Sequence, residues 1–509
     1  MKPALVFIGF MGAGKSTALA AARGAGLRTT EIDSLMEGAF GKPIAAAFEE
    51  DGEDAFRARE AEVVGSLLEQ ADGGAIALGG GSVLSGRVRE ALGRHIVVWL
   101  QVDAREAWRR IARSDRPLAR SADGVARLME ERLPFYEELA DAILPPGDRG
   151  LPSRAMPSLA ALAELPAGTK MLWAASASGE YPIFVGPGLL GSWPWPLPGD
   201  RFCITDSVVG PLYAKHLEPL GGRVEVEPGE PAKTMAEAER VLRELAGAGM
   251  NREDHVVALG GGVVGDLAGF CAHLYQRGVP VVQVPTTLVA QVDSAYGGKT
   301  GVDLPEGKNY AGAYQLPAAV IADTATLESL PREELAAGFV ELLKTGLLAG
   351  GDLWEQARAL AALVPEDLAG LVFACARYKC EVVAADERDA GLRAVLNLGH
   401  TVGHAIEAAS GYRRYRHGEA IGLGLLAALR LSEAAQLRDE VEAILRRHGL
   451  PTILDSAVDL GETLNALQRD KKRTADGVGF VLLSEPGAPR TGELVDPAKV
   501  RAAVEELYG

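Results

Sequence analysis

Short apolar runs alternate with helix-like segments along the first third of the chain. The runs at residues 4–8, 75–78 and 96–100 are each long enough for one buried strand, and the segments between them have helical apolar spacing. Such alternation is typical of a parallel sheet flanked by helices. We therefore predict one α/β domain over residues 1–145.

The pattern changes twice beyond this domain. Residues 146–170 are rich in Pro, Gly and Ala and contain only one short helical piece, which indicates a linker. A second α/β unit is predicted over residues 171–329, where strand-like runs and helical patterns mix. From residue 330 to 509, long Ala/Leu/Glu/Arg segments predict a mostly helical region. The strand-like runs are 181–185, 202–205, 256–259 and 281–284, and the helical segments are 235–246, 333–349, 368–385 and 400–409.

Length and charge narrow the class of protein. A chain of 509 residues is too long for one core, and its 48% hydrophobic and 24% charged residues are ordinary for a globular protein. The formal net charge of -17, with no concentrated basic patch, argues against nucleic acid and anionic membranes as partners. Small-molecule ligands are the better expectation.

The cysteines and the N-terminal residues indicate in which cellular compartment the protein is expected. Cys203, Cys271, Cys375 and Cys380 form no CxxC pair, so neither a disulfide framework nor a thiolate zinc site is indicated. The opening MKPALVFIGFMGAGKS does not have the pattern of a signal peptide, and no apolar run is long enough to span a bilayer. We expect a cytoplasmic protein.

A glycine-rich motif follows the first predicted strand. Gly9, Gly14, Lys15 and Ser16 fit GxxxxGK[ST] between a strand and a helix-forming stretch. Glycines let backbone N–H groups surround phosphate oxygens, while the lysine reaches the β/γ-phosphates and the serine ligates Mg²⁺. A turn that merely starts a helix is the alternative, but the flanking elements favour ATP. The predicted ATP-binding residues are Gly12, Ala13, Gly14, Lys15, Ser16 and Thr17, with Ser16 on the metal.

The residues after this loop indicate the phosphate acceptor. GEDAFRARE, LGGGSV, RPLAR and ERLPFYEE follow in order, and together they closely resemble shikimate kinase over nearly the whole domain. The resemblance implies that Asp33, Arg57, Gly80 and Arg132 bind shikimate, that Arg116 neutralises the transferring phosphoryl group at the ATP site, and that Lys15, Asp33 and Arg116 are catalytic. Each lone charge could equally be a solvated surface residue. One departure is Glu31, since the family usually has Asp at that position near Mg²⁺.

A second glycine cluster lies in the middle of the chain. Gly260, Gly262 and Gly265 match GxGxxG directly after the predicted strand 256–259 and before a helical stretch. Such glycines can bind a dinucleotide, but they can also serve only close packing of a helix on a strand. The motif alone leaves both readings open.

Three of the eight histidines cluster near residue 400. His400 and His404 are four residues apart and share a helix face, and His417 follows in the same short span. Glu341 and Lys344 share a face of another predicted helix. Imidazoles with a carboxylate would give three protein ligands and an open coordination position, as in catalytic zinc sites. A lone histidine is more often structural, and spacing does not decide which three residues ligate.

Longer motifs resemble a known family. The run RGVPVVQVPTTLVAQVDSAYGGKTGVDLPEGKNYAGAYQ, followed by AAGFVELLKTGLL and RAVLNLGHTVGHAIE, closely resembles 3-dehydroquinate synthase, and the likeness extends from about residue 181 to 483. The resemblance implies that Glu341, His400 and His417 hold zinc or cobalt and that His404 handles protons. It also implies catalytic roles for Asp293, Lys299, Lys344 and His404.

The same resemblance implies two further sets of binding residues. The heptulosonate phosphate is expected at Arg277, Asp293, Lys299, Asn309, Lys344, Lys379, Arg393, Asn397, Lys471 and Lys472. NAD is expected at Glu230, Lys233, Gly262, Val263, Val264, Gly265, Asp266, Thr286, Thr287, Lys299, Lys308, Thr326 and Ser329. One departure is Val208, where the family commonly has Asn in a turn that contacts the dinucleotide.

The two resemblances together predict a bifunctional fusion. The expected fold is α/β: a P-loop kinase domain with a parallel sheet, then a dinucleotide-binding α/β domain and a mostly helical metal-binding domain. The expected activities are phosphorylation of shikimate by ATP with Mg²⁺, and conversion of 3-deoxy-D-arabino-heptulosonate 7-phosphate to 3-dehydroquinate and phosphate with zinc and catalytic NAD. A homodimer through the synthase part is also implied. Alternatives are a sister sugar-phosphate cyclase, a simple metal-dependent alcohol dehydrogenase, or one half serving as an inactive binding module.

Overall fold

The computed structural model describes residues 2–112, 121–191, 195–468, 473–474 and 477–509. The chain divides into two compact units. The first unit comprises Met1–Ala174, Pro182–Phe184 and Ser192–Pro196, and the second comprises Ala175–Tyr181, Val185–Gly191 and Leu197–Gly509. Within the described residues, no helix combines the length and the apolar character needed to cross a bilayer.

The first unit is built on a parallel sheet. Its strands are β1 (Leu5–Ile8), β2 (Thr29–Glu31), β3 (Ala75–Ala77), β4 (Ile96–Leu100), β5 (Ala142–Leu144) and the start of β6 (Lys170–Ser176), in the order β2-β3-β1-β4-β5-β6. Its helices are α1 (Lys15–Gly24), α2 (Ile32–Phe40), α3 (Ile44–Asp51), α4 (Glu53–Gln70), α5 (Gly86–Leu92), α6 (Ala104–Ile111), α7 (Ala122–Leu139) and α8 (Leu151–Ala161). The predicted strands at 4–8, 75–78 and 96–100 are therefore confirmed as β1, β3 and β4.

The segment predicted as a linker, residues 146–170, is structured over α8. This helix packs against α1 and buries Leu151, Ala155, Met156 and Leu159. Pro152 lies in the first turn of α8, where proline is compatible with a helix because the first N–H groups have no intrahelical partner. High Pro and Gly content therefore coincides here with a core helix of the first unit.

The second unit contains a parallel sheet in its first half. Its strands are the two ends of β7 (Gly179–Gly186), β8 (Arg201–Asp206), β9 (Gly222–Val226), β10 (His255–Gly260), β11 (Val281–Pro285) and β14 (Ala319–Asp323), and β14-β11-β10-β8-β9 are parallel neighbours. An antiparallel hairpin is formed by β12 (Lys299–Leu304) and β13 (Gly307–Tyr314). The helices of this half are α9 (Val209–Tyr213), α10 (Met235–Gly247) and α11 (Gly262–Leu274), and a π-helical turn spans Ala290–Ser294.

The last part of the chain is mostly helical, as predicted. Its helices are α12 (Arg332–Ala349), α13 (Gly351–Ala359), α14 (Pro365–Ala385), α15 (His400–Ala409), α16 (His417–Leu431), α17 (Ala435–Arg447), α18 (Leu460–Gln468) and α19 (Pro497–Glu505). Helix α12 is central, because nearly every side chain from Leu335 to Leu348 is buried. An antiparallel sheet of β15 (Arg473–Thr474), β16 (Gly477–Leu483) and β17 (Pro489–Leu494) adds to this region and was not predicted.

Candidate functional sites

The glycine-rich loop of the first unit joins β1 to α1. Gly9, Gly12 and Gly14 have φ of 144°, 81° and 95°, a region that side-chain-bearing residues rarely adopt. A Cβ at Gly9 would lie 2.5 Å from the carbonyl oxygen of Leu100 on β4. Helix α1 begins at Lys15, whose Nζ donates hydrogen bonds to the carbonyl oxygens of Gly9 at 2.8 Å and Phe10 at 3.0 Å. The loop thus has the backbone shape that surrounds phosphate groups at a helix N-terminus.

A cleft of about 810 Å³ opens beside this loop. It contains all six predicted ATP-binding residues from Gly12 to Thr17, together with Asp33 and Gly80. In its lining, the Ser16 hydroxyl donates a hydrogen bond to Oε1 of Glu31 at 3.2 Å. Hydroxyl and carboxylate oxygens are ligands that Mg²⁺ prefers, so this pair fits the magnesium of a nucleotide complex.

Two guanidinium groups lie beside the Gly80–Gly81 turn, those of the buried Arg132 and the half-buried Arg57. A Cβ at Gly80 would lie 3.5 Å from Nη1 of Arg132, and one at Gly81 would lie 2.5 Å from Nη1 of Arg57. Arg132 is 2% exposed, and burial lowers its pKa. The Nε–H groups of both arginines are buried and donate no hydrogen bond within the described residues. Paired guanidinium groups of this kind suit a carboxylate ligand.

Residues that sequence reasoning missed complete this pocket. Glu60 is buried and accepts hydrogen bonds from Arg57 Nη1 at 2.6 Å and from the Ser82 hydroxyl at 2.7 Å, which fixes the guanidinium. The Tyr136 hydroxyl donates to the Gly80 carbonyl at 2.5 Å, and burial raises the pKa of Tyr136 to about 12 although Arg132 opposes that effect. The three-residue spacing of Arg57 and Glu60 on α4 was the available signal.

The nucleotide side of the cleft holds further cations. Arg110 Nη1 donates to the Gly12 carbonyl at 2.8 Å, and Arg109 and Arg149 also line the cleft. None of the three was predicted from the sequence. Arg116, the predicted phosphoryl-neutralising residue, lies outside the described residues.

Three potential metal ligands converge in the second unit. Oε1 of Glu341 on α12 lies 3.5 Å from Nε2 of His400 and 3.2 Å from Nε2 of His417. His400 and His417 begin α15 and α16, so two helix starts and one central helix supply the group. One ligand atom from each residue lies within 4.8 Å of the others. The donor set, two imidazoles and a carboxylate, is one that zinc and cobalt accept.

The surroundings of these residues fit a metal ion. Oε1 of Glu341 is buried and receives no well-directed hydrogen bond from the described residues. Nδ1 of His400 lies 3.1 Å from the Leu398 carbonyl, which directs Nε2 toward Glu341. His404 lies beside the group rather than in it, with its ring centroid 5.1 Å from that of His400. The set implied by the resemblance therefore matches the geometry better than the i, i+4 histidine pair.

Neighbouring positive charges keep the carboxylates of Glu341 and Glu407 ionised. Burial raises the pKa of Glu341, but Lys344, with Nζ 2.6 Å from Oε2, and the two imidazoles lower it well below its ordinary value. Burial also opposes ionisation of Glu407, yet His417 and Lys308 lower its pKa to about 2. For His417, burial lowers the pKa, and Glu341 and Glu407 raise it to about 10.

Backbone contact holds the two histidine-bearing helices together. A Cβ at Gly424 on α16 would overlap the carbonyl oxygen of Gly399, the residue before α15. A Cβ at Gly418 would overlap the carbonyl of Ala337 on α12, and one at Gly403 would lie 3.0 Å from the carbonyl of Ala420. Glycine at these positions is what lets α12, α15 and α16 approach closely enough to bring the ligands together.

Several predicted substrate residues lie near this group. Lys379 Nζ is 2.7 Å from Oδ1 of Asp293, and the charges of Lys379 and Lys344 lower the Asp293 pKa despite the opposing effect of burial. Arg393 is buried and donates to the carbonyls of Glu387 at 2.8 Å and Gly297 at 3.2 Å. Lys344, Lys379 and Asp293 therefore form one charged cluster next to Glu341.

The remaining predicted substrate residues are more scattered. Lys299 forms an ion pair with Asp389, Asn397 donates to the Ala394 carbonyl at 3.0 Å, and the Asn309 N–H donates to Asp303 at 2.8 Å. Among the described residues, no hydrogen bond or ion pair joins Arg277 to the other predicted substrate residues. Lys471 and Lys472 lie outside the described residues.

The second glycine motif opens α11 at the carboxyl end of β10, where parallel sheets commonly bind dinucleotides. Predicted residues meet there: Lys233 Nζ lies 2.6 Å from Asp266 and 3.9 Å from Glu230, and Lys308 Nζ lies 3.6 Å from Glu230. Two of the other predicted residues make hydrogen bonds within the protein framework. The buried Thr326 hydroxyl donates to the Asp323 carbonyl at 2.7 Å, and Ser329 accepts from the Tyr213 hydroxyl at 2.7 Å.

Comparison with known proteins decides the family of the second unit. A 3-dehydroquinate synthase from Symbiobacterium thermophilum is 43% identical over 351 residues, which cover 98% of that protein and 64% of this chain. The chain belongs to the 3-dehydroquinate synthase family. A second family member, from Halorhodospira halophila, is 44% identical over 351 residues, covering 99% of its own length and 66% of this chain.

Family models match three stretches of the chain. Models of the N-terminal and C-terminal parts of 3-dehydroquinate synthase match residues 223–337 and 338–473. The model of shikimate kinase matches residues 11–151. The chain is thus a fusion of a shikimate kinase and a 3-dehydroquinate synthase, as the motifs predicted. Both activities belong to the shikimate pathway of aromatic amino acid biosynthesis.

Solved structures of related cyclases share the fold of the synthase. A 2-deoxy-scyllo-inosose synthase complexed with carbaglucose-6-phosphate, NAD⁺ and Co²⁺ is 28% identical with a TM-score of 0.61, over 66% of this chain and 100% of its own. ValA, a 2-epi-5-epi-valiolone synthase from Streptomyces hygroscopicus with NAD⁺ and Zn²⁺ bound, is 25% identical with a TM-score of 0.60, over 66% and 98%. Related cyclases thus bind NAD and zinc or cobalt, whereas the curated relatives of higher identity are dehydroquinate synthases.

Proposed function

We propose that the first unit phosphorylates shikimate with Mg-ATP and that the second converts 3-deoxy-D-arabino-heptulosonate 7-phosphate into 3-dehydroquinate and phosphate, using NAD and a divalent metal ion. The observation that carries the second reaction is the convergence of Glu341, His400 and His417 beside Lys344 and Lys379. It combines a metal-binding donor set with cations that suit a phosphate and a carboxylate. We also propose a homodimer and the domain limits given by the sequence.

In the first unit, we assign positioning and charge neutralisation to the chain. Phosphoryl transfer needs little covalent help from a protein. Lys15 and the N–H groups of the loop hold the phosphates, and Ser16 with Glu31 holds Mg²⁺. Arg57 and Arg132 bind the shikimate carboxylate, and Asp33 accepts a hydrogen bond from a ring hydroxyl. Arg116 completes the phosphate contacts in this proposal.

In the second unit, Glu341, His400 and His417 would hold zinc. When bound, zinc would supply a Lewis acid for the substrate's hydroxyls and NAD a reversible hydride acceptor, without net consumption of either. Lys344 and Lys379 bind anionic groups of the substrate, with Lys344 kept charged by Glu341 and Asp293. His404 lies beside the metal ligands, where it can take up or deliver a proton during loss of phosphate.

The NAD site is proposed along the carboxyl edge of the second sheet. Gly262–Asp266, Thr286 and Thr287 follow the ends of β10 and β11, and Glu230, Lys233 and Lys308 surround the same edge. Backbone N–H groups at the start of α11 suit the pyrophosphate, and the charged side chains suit ribose hydroxyls and phosphate.

A direct assay tests the synthase. Purified protein is incubated with NAD⁺, zinc and the heptulosonate phosphate, and phosphate release and carbocyclic product are followed together, with His400→Ala as the matched control. Equal amounts of phosphate and 3-dehydroquinate without net NADH, only in the unmutated protein, are expected. No turnover by metal-loaded protein, with turnover of another sugar phosphate, would assign it to a sister cyclase instead.

A second assay tests the kinase in the same preparation. ADP formation that depends on shikimate and Mg²⁺, and that is lost in Lys15→Ala, is expected. ATP hydrolysis that is indifferent to shikimate would contradict the assigned acceptor.

A further inference from the structure

Glu407 is a buried carboxylate that none of the predicted sites includes. It lies on α15, seven residues after His400, and is 3% exposed. Its Oε1 lies 3.5 Å from Nδ1 of His417 and 3.3 Å from Nζ of Lys308. The group therefore stands between a proposed metal ligand and a proposed NAD-binding residue.

The contact to His417 has a specific chemical meaning. An imidazole that binds metal through one nitrogen carries a proton on the other, and that N–H needs an acceptor to fix the orientation of the ring. Nδ1 of His400 has the Leu398 carbonyl at 3.1 Å as such an acceptor. For His417, Nε2 faces Glu341 at 3.2 Å and Nδ1 faces Glu407, so Glu407 occupies the equivalent position.

Lys308 connects the same carboxylate to the dinucleotide side. Its ammonium group lies 3.3 Å from Glu407 and 3.6 Å from Glu230, and it stands 4.6 Å from the centre of the Tyr412 ring. Lys308 is on the β12–β13 hairpin and Glu230 precedes α10, whereas Glu407 is on a metal-site helix. A chain of alternating charges thus runs from His417 to Glu230.

A second reading of the geometry is weaker. His404, Glu407 and His417 also place three ligand atoms within 4.8 Å of one another. The Lys308 ammonium already lies against the Glu407 oxygen, however, and would repel a cation there. This favours an orienting role for Glu407 over a second metal site.

We propose that Glu407 is a positioning residue that orients His417 for metal binding and, through Lys308, couples the metal site to the NAD site. The proposal rests on the proposed zinc- and NAD-dependent function of the second unit. It predicts that metal and NAD affinities depend on each other, because a coupling free energy between two sites acts in both directions.

The experiment compares Glu407→Gln and Glu407→Ala with Glu381→Gln. Glu381 is an exposed carboxylate on α14 that pairs with Arg377 at 3.0 Å, so it controls for loss of one negative charge. Zinc affinity is measured by competition with a chromophoric chelator, the ligand field by visible absorption of the Co²⁺ form, and NAD affinity by titration with and without metal. Thermal melting of each variant reports whether it is folded.

Removing an outer-shell partner of a metal ligand typically weakens metal binding about 10- to 100-fold. We expect such a loss of zinc affinity in Glu407→Ala and a smaller loss in Glu407→Gln, with an altered Co²⁺ spectrum in both variants. In Glu381→Gln we expect neither the zinc affinity nor the Co²⁺ spectrum to change. We also expect zinc to change NAD affinity about fivefold or more in the unmutated protein and less in the variants.

Two results would overturn the proposal, and they are distinguishable. Zinc affinity and Co²⁺ spectrum unchanged in folded Glu407→Ala would remove the positioning role and leave the proposed function intact. No zinc or cobalt binding by the unmutated protein would remove the metal site itself, and the role of Glu407 with it.

Discussion

The Ser16 hydroxyl donates a hydrogen bond to Oε1 of Glu31 at 3.2 Å, within the cleft beside the phosphate-binding loop. The longer glutamate side chain thus reaches the serine that is expected to ligate Mg²⁺. We expect Glu31→Ala to raise the Mg²⁺ concentration for half-maximal kinase activity about tenfold, the effect of losing about 1.4 kcal/mol. A Mg²⁺ titration of the kinase reaction measures this. An identical titration curve would show that Glu31 does not act on the metal.

Substitution of Lys15 tests the role of the phosphate-binding loop in a second way. Its ammonium group is held by the Gly9 and Phe10 carbonyls at the start of α1. Loss of one group that stabilises transition-state charge typically costs about 100- to 1,000-fold in rate, and we expect Lys15→Ala to reduce kinase turnover by that order. The synthase activity of the same sample is the internal control. Equal loss of both activities would instead indicate a folding defect.

The metal ligands can be tested by removing one imidazole. Because Glu341, His400 and His417 share one group, we expect His400→Ala to lose stoichiometric zinc and nearly all synthase activity while keeping kinase activity. Metal analysis after gel filtration and the two assays measure this. Retention of one tightly bound zinc ion per chain would contradict the assigned ligand set.

The pH dependence of metal binding follows from His417. Its folded-state pKa of about 10 lies above the ordinary value of 6.5, so the metal-free protein keeps this imidazole protonated over that interval. Metal binds the neutral imidazole and must displace the proton. Between pH 7 and 9 we expect zinc to bind about tenfold more tightly per pH unit, with release of one proton. Calorimetry in buffers of different ionisation enthalpy measures the release, and a pH-independent affinity would contradict the shift.

The same shift affects the stability of the metal-free protein. A pKa raised by folding contributes stability that is fully present below pH 6.5 and is lost as the pH rises through about 10. We therefore expect the metal-free second unit to lose stability between pH 7 and 10, and zinc to reduce this loss. Thermal melting with and without zinc across that range measures the difference. If the protein loses the same stability with and without zinc, the loss comes from titration of groups other than His417.

Val208 offers a gain-of-affinity test. Its side chain is 59% exposed in the turn after β8, and its N–H donates to Oδ1 of Asp206 at 2.9 Å, so the turn is already shaped by the aspartate. Asparagine would add one hydrogen-bonding group at the turn that, by the family resemblance, contacts the dinucleotide. We expect Val208→Asn to tighten NAD binding about three- to tenfold, the effect of one hydrogen bond. Val208→Ala is the control, and equal dissociation constants in all three proteins would exclude the contact.

Local patterns predicted the features that depend on neighbours in sequence. The loop before Lys15 was predictable because its glycines, strand and helix are contiguous. The fold class was predictable because apolar periodicity changes between the two halves of the second unit. The short helical piece within residues 146–170 was predicted, but its place in the core of the first unit was not, because that place depends on packing of α8 against α1, which is distant in sequence.

Among the site residues as well, local sequence patterns predicted local relationships but not contacts between distant parts of the chain. Spacing placed His400 and His404 on one helix face, but the geometry pairs His400 with His417 and Glu341, and only the family resemblance pointed to that set. Glu407 contacts Lys308, which is 99 residues away in the chain, and looked like an ordinary helix glutamate in the sequence. Non-local charge contacts leave no trace in a local pattern.

The glycine contacts among α12, α15 and α16 constrain how this synthase could be re-engineered. Gly399, Gly418 and Gly424 meet neighbouring backbone directly, so a side chain at any of these three positions would force the helices apart. Directed evolution toward other sugar phosphates would therefore find its usable diversity on α14 and on the β12–β13 hairpin. A library randomised at the three glycines should return glycine at each of them.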